Sequence, residues 1–142
     1  MTQSFNATAS IEINATPERV WDALTDPKQV KQYFFGTTLT AEWKAGGKIT
    51  YSGEWQGKSY EDKGRVLQIE PRKFLKMTHF SPLSGKEDKP ENYHTITYTL
   101  AKTDNGTELT ITQDNNPDRN AMEHSQKNWV MMLENLKKFL EK

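Results

Sequence analysis

Three histidines, His79, His94 and His124, are the side chains in this sequence best suited to proton transfer or metal binding. They fall in different segments, without a spacing such as His-Glu-x-x-His that would set two ligands on one helix face. The chain contains no cysteine, which excludes thiolate metal sites, cysteine nucleophiles and disulfides together. No serine sits in a nucleophile elbow. Gly46-Gly47 leads into a strand pattern and not into a helix N-terminus, so it is not a phosphate cradle. Neither a metal nor a cofactor is implied. His79, His94, Tyr98 and Glu123 remain the candidates for general acid–base chemistry, which needs contacts of about 3 Å that spacing alone does not establish. His79 and His94 can approach each other if they lie on neighbouring strands.

The elements that must position these groups are readable from periodicity. Phe5, Ala7, Ala9, Ile11 and Ile13 alternate with polar residues, as in a half-buried strand. Thr16-Pro17-Glu18 then has the grammar of a helix start, and Asp26-Pro27 with Gln29 repeats it for a second short helix ending at Gly36. Leu39, Ala41 and Trp43 alternate next, followed by the Gly46-Gly47 turn and by Ile49, Tyr51 and Trp55. Further strands are expected over 65–69, over Leu75, Met77 and His79, and over His94, Ile96, Tyr98 and Leu100. Asp104-Asn-Gly106 is a hairpin turn leading to Leu109, Ile111 and Gln113. The charged stretch from Ser84 to Glu91 reads as a loop.

Asn116-Pro117-Asp118 gives the helix-start grammar a third time. Met122, Ser125, Gln126, Trp129, Met132, Leu133, Leu136 and Leu140 then recur at spacings of three and four, predicting a helix of about 20 residues. This is an α+β pattern in which a long C-terminal helix covers the concave face of an antiparallel sheet.

The 142 residues suit one domain, 1–142, able to bury about 68–70% of its unfolded surface. Nineteen Lys plus Arg balance nineteen Asp plus Glu, which argues against a nucleic-acid partner. No run approaches the roughly 20 apolar residues of a membrane span, and the N-terminal residues lack the basic and apolar regions of a signal peptide. The expected location is therefore the cytoplasm, where the sequons at Asn6, Asn14 and Asn105 would stay unmodified.

The inward-facing set mixes aromatics with His79, His94, Tyr98 and Gln113, and Ser125 and Gln126 interrupt the stripe of the long helix. Polar groups on a core face need partners in protein, water or ligand. An apolar pocket with a few converging polar groups is the usual form of a small-molecule site. Tyr51, Trp55, Met77, His79, His94, Tyr98, Met122 and Trp129 are the expected lining, with the histidines and Tyr98 orienting a polar end.

The segment Asn14-Ala-Thr-Pro-Glu-Arg-Val-Trp-Asp-Ala-Leu-Thr-Asp-Pro27 resembles the SRPBCC superfamily of START domains, birch-pollen allergens and polyketide cyclases. The branch it resembles is the C-terminal domain of the activator of heat-shock protein 90 ATPase. Matches continue through Val30 to Phe34 with Gly36, Trp43-x-x-Gly46-Gly47, Gly64-Arg-Val-Leu-Gln-Ile-Glu-Pro71, Gly106-Thr107-x-Leu109-Thr110, and Trp129 with Leu133, Leu136 and Leu140. The resemblance implies a helix-grip fold, a seven-stranded antiparallel sheet wrapped around the long helix with a deep cavity between. It implies a binding protein for an apolar or amphipathic small molecule. Its alternatives are a cyclase- or hydrolase-like enzyme using the same cavity and a module that docks on a chaperone. A monomer or weak dimer is expected, with the apolar run Tyr33-Phe34-Phe35 as the surface that could pair copies.

Overall fold

The computed structural model of the chain describes residues 5–34, 36–55, 57–82 and 85–141, and Trp55 by its backbone. The order is β1 (Phe5–Ile13), α1 (Pro17–Thr25), α2 (Pro27–Tyr33), β2 (Thr38–Ala41), β3 (Lys48–Trp55) and β4 (Lys58–Glu70). It continues with β5 (Phe74–His79), β6 (His94–Thr103), β7 (Gly106–Asn116) and α3 (Arg119–Leu140). The seven strands form one antiparallel sheet in the order β1-β7-β6-β5-β4-β3-β2. This is the helix-grip α+β fold expected from the sequence. Ser84 and Phe35 lie outside the described residues, as does the Trp55 side chain.

The helix starts follow local chemistry. Thr16 Oγ1 accepts the Arg19 N–H at 3.2 Å with Pro17 opening α1, and Asp26 accepts from Lys28 N and Gln29 Nε2 at 3.1 Å each to open α2. The third start differs from expectation. Asp118, not Asn116, caps α3 by accepting the Ala121 N–H at 2.8 Å. Asn116 is still strand, and it is buried because β7 is bulged: Ala7 pairs with Gln113 while Phe5 pairs with Asn116. Asn115 takes up the extra residue at φ 56°, which turns both Gln113 and Asn116 inward.

A second departure from the sequence reading lies in β4, which begins at Lys58 and not at Arg65. Trp55 is paired with Lys58, so β3 and β4 form one long hairpin. Within it Gly53 faces Tyr60, and a Cβ there would lie 2.9 Å from the Tyr60 hydroxyl; glycine leaves room for the tyrosine to cross its neighbour.

The core sits between the sheet and the helices. Ile13, Leu75, Leu109 and Ile111 from the strands meet Val20, Leu24, Val30, Met132, Leu133, Leu136 and Leu140 from the helices, all nearly inaccessible to water. Each such side chain contributes roughly 1.5–3 kcal/mol through burial. Trp21 is buried in the same cluster, as expected. The burial of α3 is uneven along its length. Its buried residues, Met132, Leu133, Leu136 and Leu140, all lie in the C-terminal half, and no residue from Arg119 to Met131 is buried.

Candidate functional site

Where α3 stands off the sheet, a cavity of about 440 Å³ opens between its N-terminal half and strands β3 to β7. Aromatic faces dominate its wall: Phe34, Tyr51, Tyr60, Tyr98 and Trp129. They form connected pairs, Phe34 stacked on Tyr51 with centroids 6.0 Å apart and Tyr98 edge-on to Trp129 at 6.2 Å. Met77, Ile96, Met131 and Met132 complete the apolar surface.

The polar groups come from one row of the sheet. Strand register places Tyr51 opposite Asp62 and His79 opposite His94. Asp62 and His79 are joined across β4 and β5 by a contact of 3.1 Å between His79 Nε2 and Asp62 Oδ2. An ionised carboxylate only accepts, so the imidazole Nε2–H donates, and in the neutral ring Nδ1 then keeps its lone pair. That Nδ1 and the second carboxylate oxygen, Asp62 Oδ1, are both buried and have no hydrogen-bond partner. A buried acceptor without a partner is costly, so a donor that reached either atom would be favoured. Glu54, exposed, and His124 of α3 also border the cavity.

The sequence-predicted lining is thus brought together in part. Tyr51, Met77, His79, Tyr98 and Trp129 border the cavity, and the Trp55 side chain lies outside the described residues. His94 and Met122 do not border it. His94 Nδ1 donates to the Asp114 carbonyl at 2.7 Å, which holds its ring beside His79 with centroids 6.4 Å apart. Burial lowers the His94 pKa, the Asp114 bond opposes that shift, and the nearby His79 adds to it. Met122 is on the apolar stripe but near the start of α3, before His124, the first helix residue that borders the cavity.

Gln113 and Ser125 border the cavity, yet their polar atoms are satisfied within the protein. Trp129 Nε1 donates to Gln113 Oε1 at 2.8 Å, and Gln113 Nε2 donates to Asn116 Oδ1 and Ser125 Oγ at 3.2 Å each. Ser125 in turn donates to Asn116 Oδ1, and Asn116 Nδ2 donates to the Phe5 carbonyl at 2.8 Å. This knot fixes the helix to β7. Burial pushes the Tyr51 and Tyr98 phenols far above their ordinary range; the interaction between their hydroxyls draws Tyr51 back down and raises Tyr98 further. Both are neutral hydrogen-bonding groups on an apolar wall.

Sequence reasoning missed Asp62 and Tyr60. Both stand on the inner face of β4, in the alternation Tyr60, Asp62, Gly64. The polar composition of that stretch hides it as a strand.

A family model described as activator of Hsp90 ATPase homolog 1-like protein matches residues 14–141. The chain belongs to this family. A solution structure from Cytophaga hutchinsonii is 50% identical with a TM-score of 0.87, covering 99% of this chain and 97% of that one. A crystal structure of a protein from Mesorhizobium loti is 26% identical with a TM-score of 0.77, covering 96% of each. The solution structure of the Aha1 dimer from Colwellia psychrerythraea is 24% identical with a TM-score of 0.75, again over 96% of each chain, and is similar in fold. No curated protein gives a significant match.

Within this activator of Hsp90 ATPase homolog 1-like chain, the family-matching residues Pro17, Pro27, Gly46 and Trp21 lie in helix starts, a turn and the core. The residues bordering the cavity are largely others. Among the described residues no helix is long and apolar enough to cross a membrane, and no three His, Asp or Glu side chains are grouped to hold a metal.

Proposed function

We propose that residues 1–142 act as one cytoplasmic domain, monomeric or weakly dimeric, that holds an apolar or amphipathic small molecule between α3 and strands β3 to β7. The observation carrying this reading is the coincidence of an aromatic wall with the hydrogen-bonded Asp62–His79 pair on the border of a cavity of about 440 Å³, a size suited to a small organic ligand. Apolar burial would supply affinity at about 25 cal/mol per Å², and the Asp62–His79 pair would orient a polar end.

The test is titration with the fluorescent apolar probe N-phenyl-1-naphthylamine. Saturable binding at one site per chain is expected, and Asn128→Trp, at an exposed helix position on the cavity border, should abolish it. Absence of saturable binding to the unmodified chain overturns the reading.

One observation favours a second reading, a cyclase- or hydrolase-like enzyme. Asp62 and His79 form a bonded acid–base pair bordering the cavity, the arrangement that general acid–base chemistry requires. Turnover abolished by His79→Gln with probe binding retained would support it. The family's chaperone association gives a third role, docking on a heat-shock ATPase. A pull-down at low salt tests it, and no specific retention is expected.

A further inference from the structure

We infer that the molecule this cavity accepts is a cationic amphiphile, an alkyl or aryl amine whose ammonium lies against Asp62 and whose apolar body lies on the aromatic wall. The inference rests on the small-molecule reading above and names the chemical class of the same site.

Three observations converge on it. First, the charge of the border is one-sided: Asp62 and Glu54 are carboxylates, and among the described residues no lysine or arginine borders the cavity. An anionic head would enter beside two carboxylates with no fixed cation to receive it, whereas an ammonium finds a counter-charge in partly desolvated surroundings.

Second, the unmet hydrogen-bonding capacity is of one kind. In the neutral ring, with Nε2–H committed to Asp62 Oδ2, His79 Nδ1 and Asp62 Oδ1 are buried and without a partner. Both are acceptors, and a primary ammonium brings three donors. A carboxylate ligand brings none. A hydroxyl brings one.

Third, the wall suits a cation. Tyr51 is the cross-strand partner of Asp62, and Tyr60, Tyr98, Trp129 and Phe34 border the same space. Aromatic faces carry negative electrostatic potential, and a cation within about 6 Å of a ring centroid is attracted to them. The same rings bury an alkyl or aryl body, so one wall serves both ends of the ligand.

Isothermal titration calorimetry of the full chain at pH 8 with octylamine, 1-octanol and octanoate, each below its micellar concentration, separates the outcomes. Octylammonium should bind about ten-fold more tightly than octanol, with octanoate weakest; that ratio is one power of ten in Kd. Asp62→Asn should erase the preference for the amine, bringing octylamine and octanol to the same affinity. Glu54→Gln, at an exposed position, should reduce the preference about two-fold, and it serves as the test if Asp62→Asn does not fold by circular dichroism. Octanoate binding as tightly as the amine overturns the cationic assignment while leaving the cavity reading intact. So does a preference that survives Asp62→Asn, or Glu54→Gln where the first variant is unfolded. Failure of all three compounds to bind overturns both.

Discussion

Trp129 hangs its indole N–H on Gln113, Nε1 to Oε1 at 2.8 Å, and so ties the middle of α3 to strand β7. The bond lies at the edge of the cavity and feeds into the Gln113, Asn116 and Ser125 knot. It is a structural tether as well as part of the wall. Gln113→Leu should therefore cost about 1–3 kcal/mol, because the indole donor is left without its acceptor. Trp129→Phe should cost a similar amount. The double variant should lose less than the sum of the two, as read from urea denaturation.

A second prediction concerns acid. Burial holds the His94 pKa below its ordinary value, the bond to the Asp114 carbonyl opposes that, and His79 adds to the lowering. The unfolded chain then takes up the His94 proton more readily than the folded one. Stability from this group is complete above the unfolded value of about 6.5 and is lost as the pH falls from there toward the lowered folded value. The urea midpoint should drop between pH 7.5 and 5.5, and His94→Asn should shrink that drop. An unchanged pH dependence in the variant would remove His94 from the account.

Gly64 is buried at the point where β4 meets the end of β5, and a Cβ there would stand 1.8 Å from the Thr78 carbonyl oxygen. Backbone must move to admit it. Because Gly64 is two residues from Asp62 and Thr78 adjoins His79, Gly64→Ala should lower both the thermal midpoint and amphiphile affinity. An unaltered midpoint would show that the strands separate there at little cost.

Leu136 is wholly buried under the C-terminal half of α3. Leu136→Ala should cost about 2–5 kcal/mol, from lost burial and the void left behind. Its distance from the cavity predicts a separation of effects. Chemical denaturation should register the full loss, while calorimetry well below the transition should find ligand affinity nearly intact.

The sequence made the scaffold legible wherever one face of an element is apolar. Phe5 to Ile13 and His94 to Leu100 alternate clearly, and the stripe from Trp129 to Leu140 has the period of a helix. Thr16 and Asp26 announce their helices because a cap followed by proline is a local signal. Asn116 carries the same signal and is misread, since the bulge at Asn115 that buries it depends on pairing with β1. The approach of His79 to His94 was legible as a cross-strand pair. The role of Asp62 was not: a carboxylate in a polar alternation declares nothing until the β3–β4 register carries it beside Tyr51 and His79.

Two anchorages of α3 bear on how a guest enters and leaves. Near the C-terminus, Glu141 accepts the Asn14 N–H and Lys137 reaches the Glu12 carbonyl, each at 2.8 Å; further up, Trp129 is bound to Gln113. A rod pinned at both places does not swing open. Traffic must pass the exposed flank of His124, Asn128 and Met131, whose side chains exchange rotamers in picoseconds to nanoseconds. Admission is then a matter of side-chain hops and not of breathing by the whole fold, and residence time is governed by the grip of the interior and not by a door.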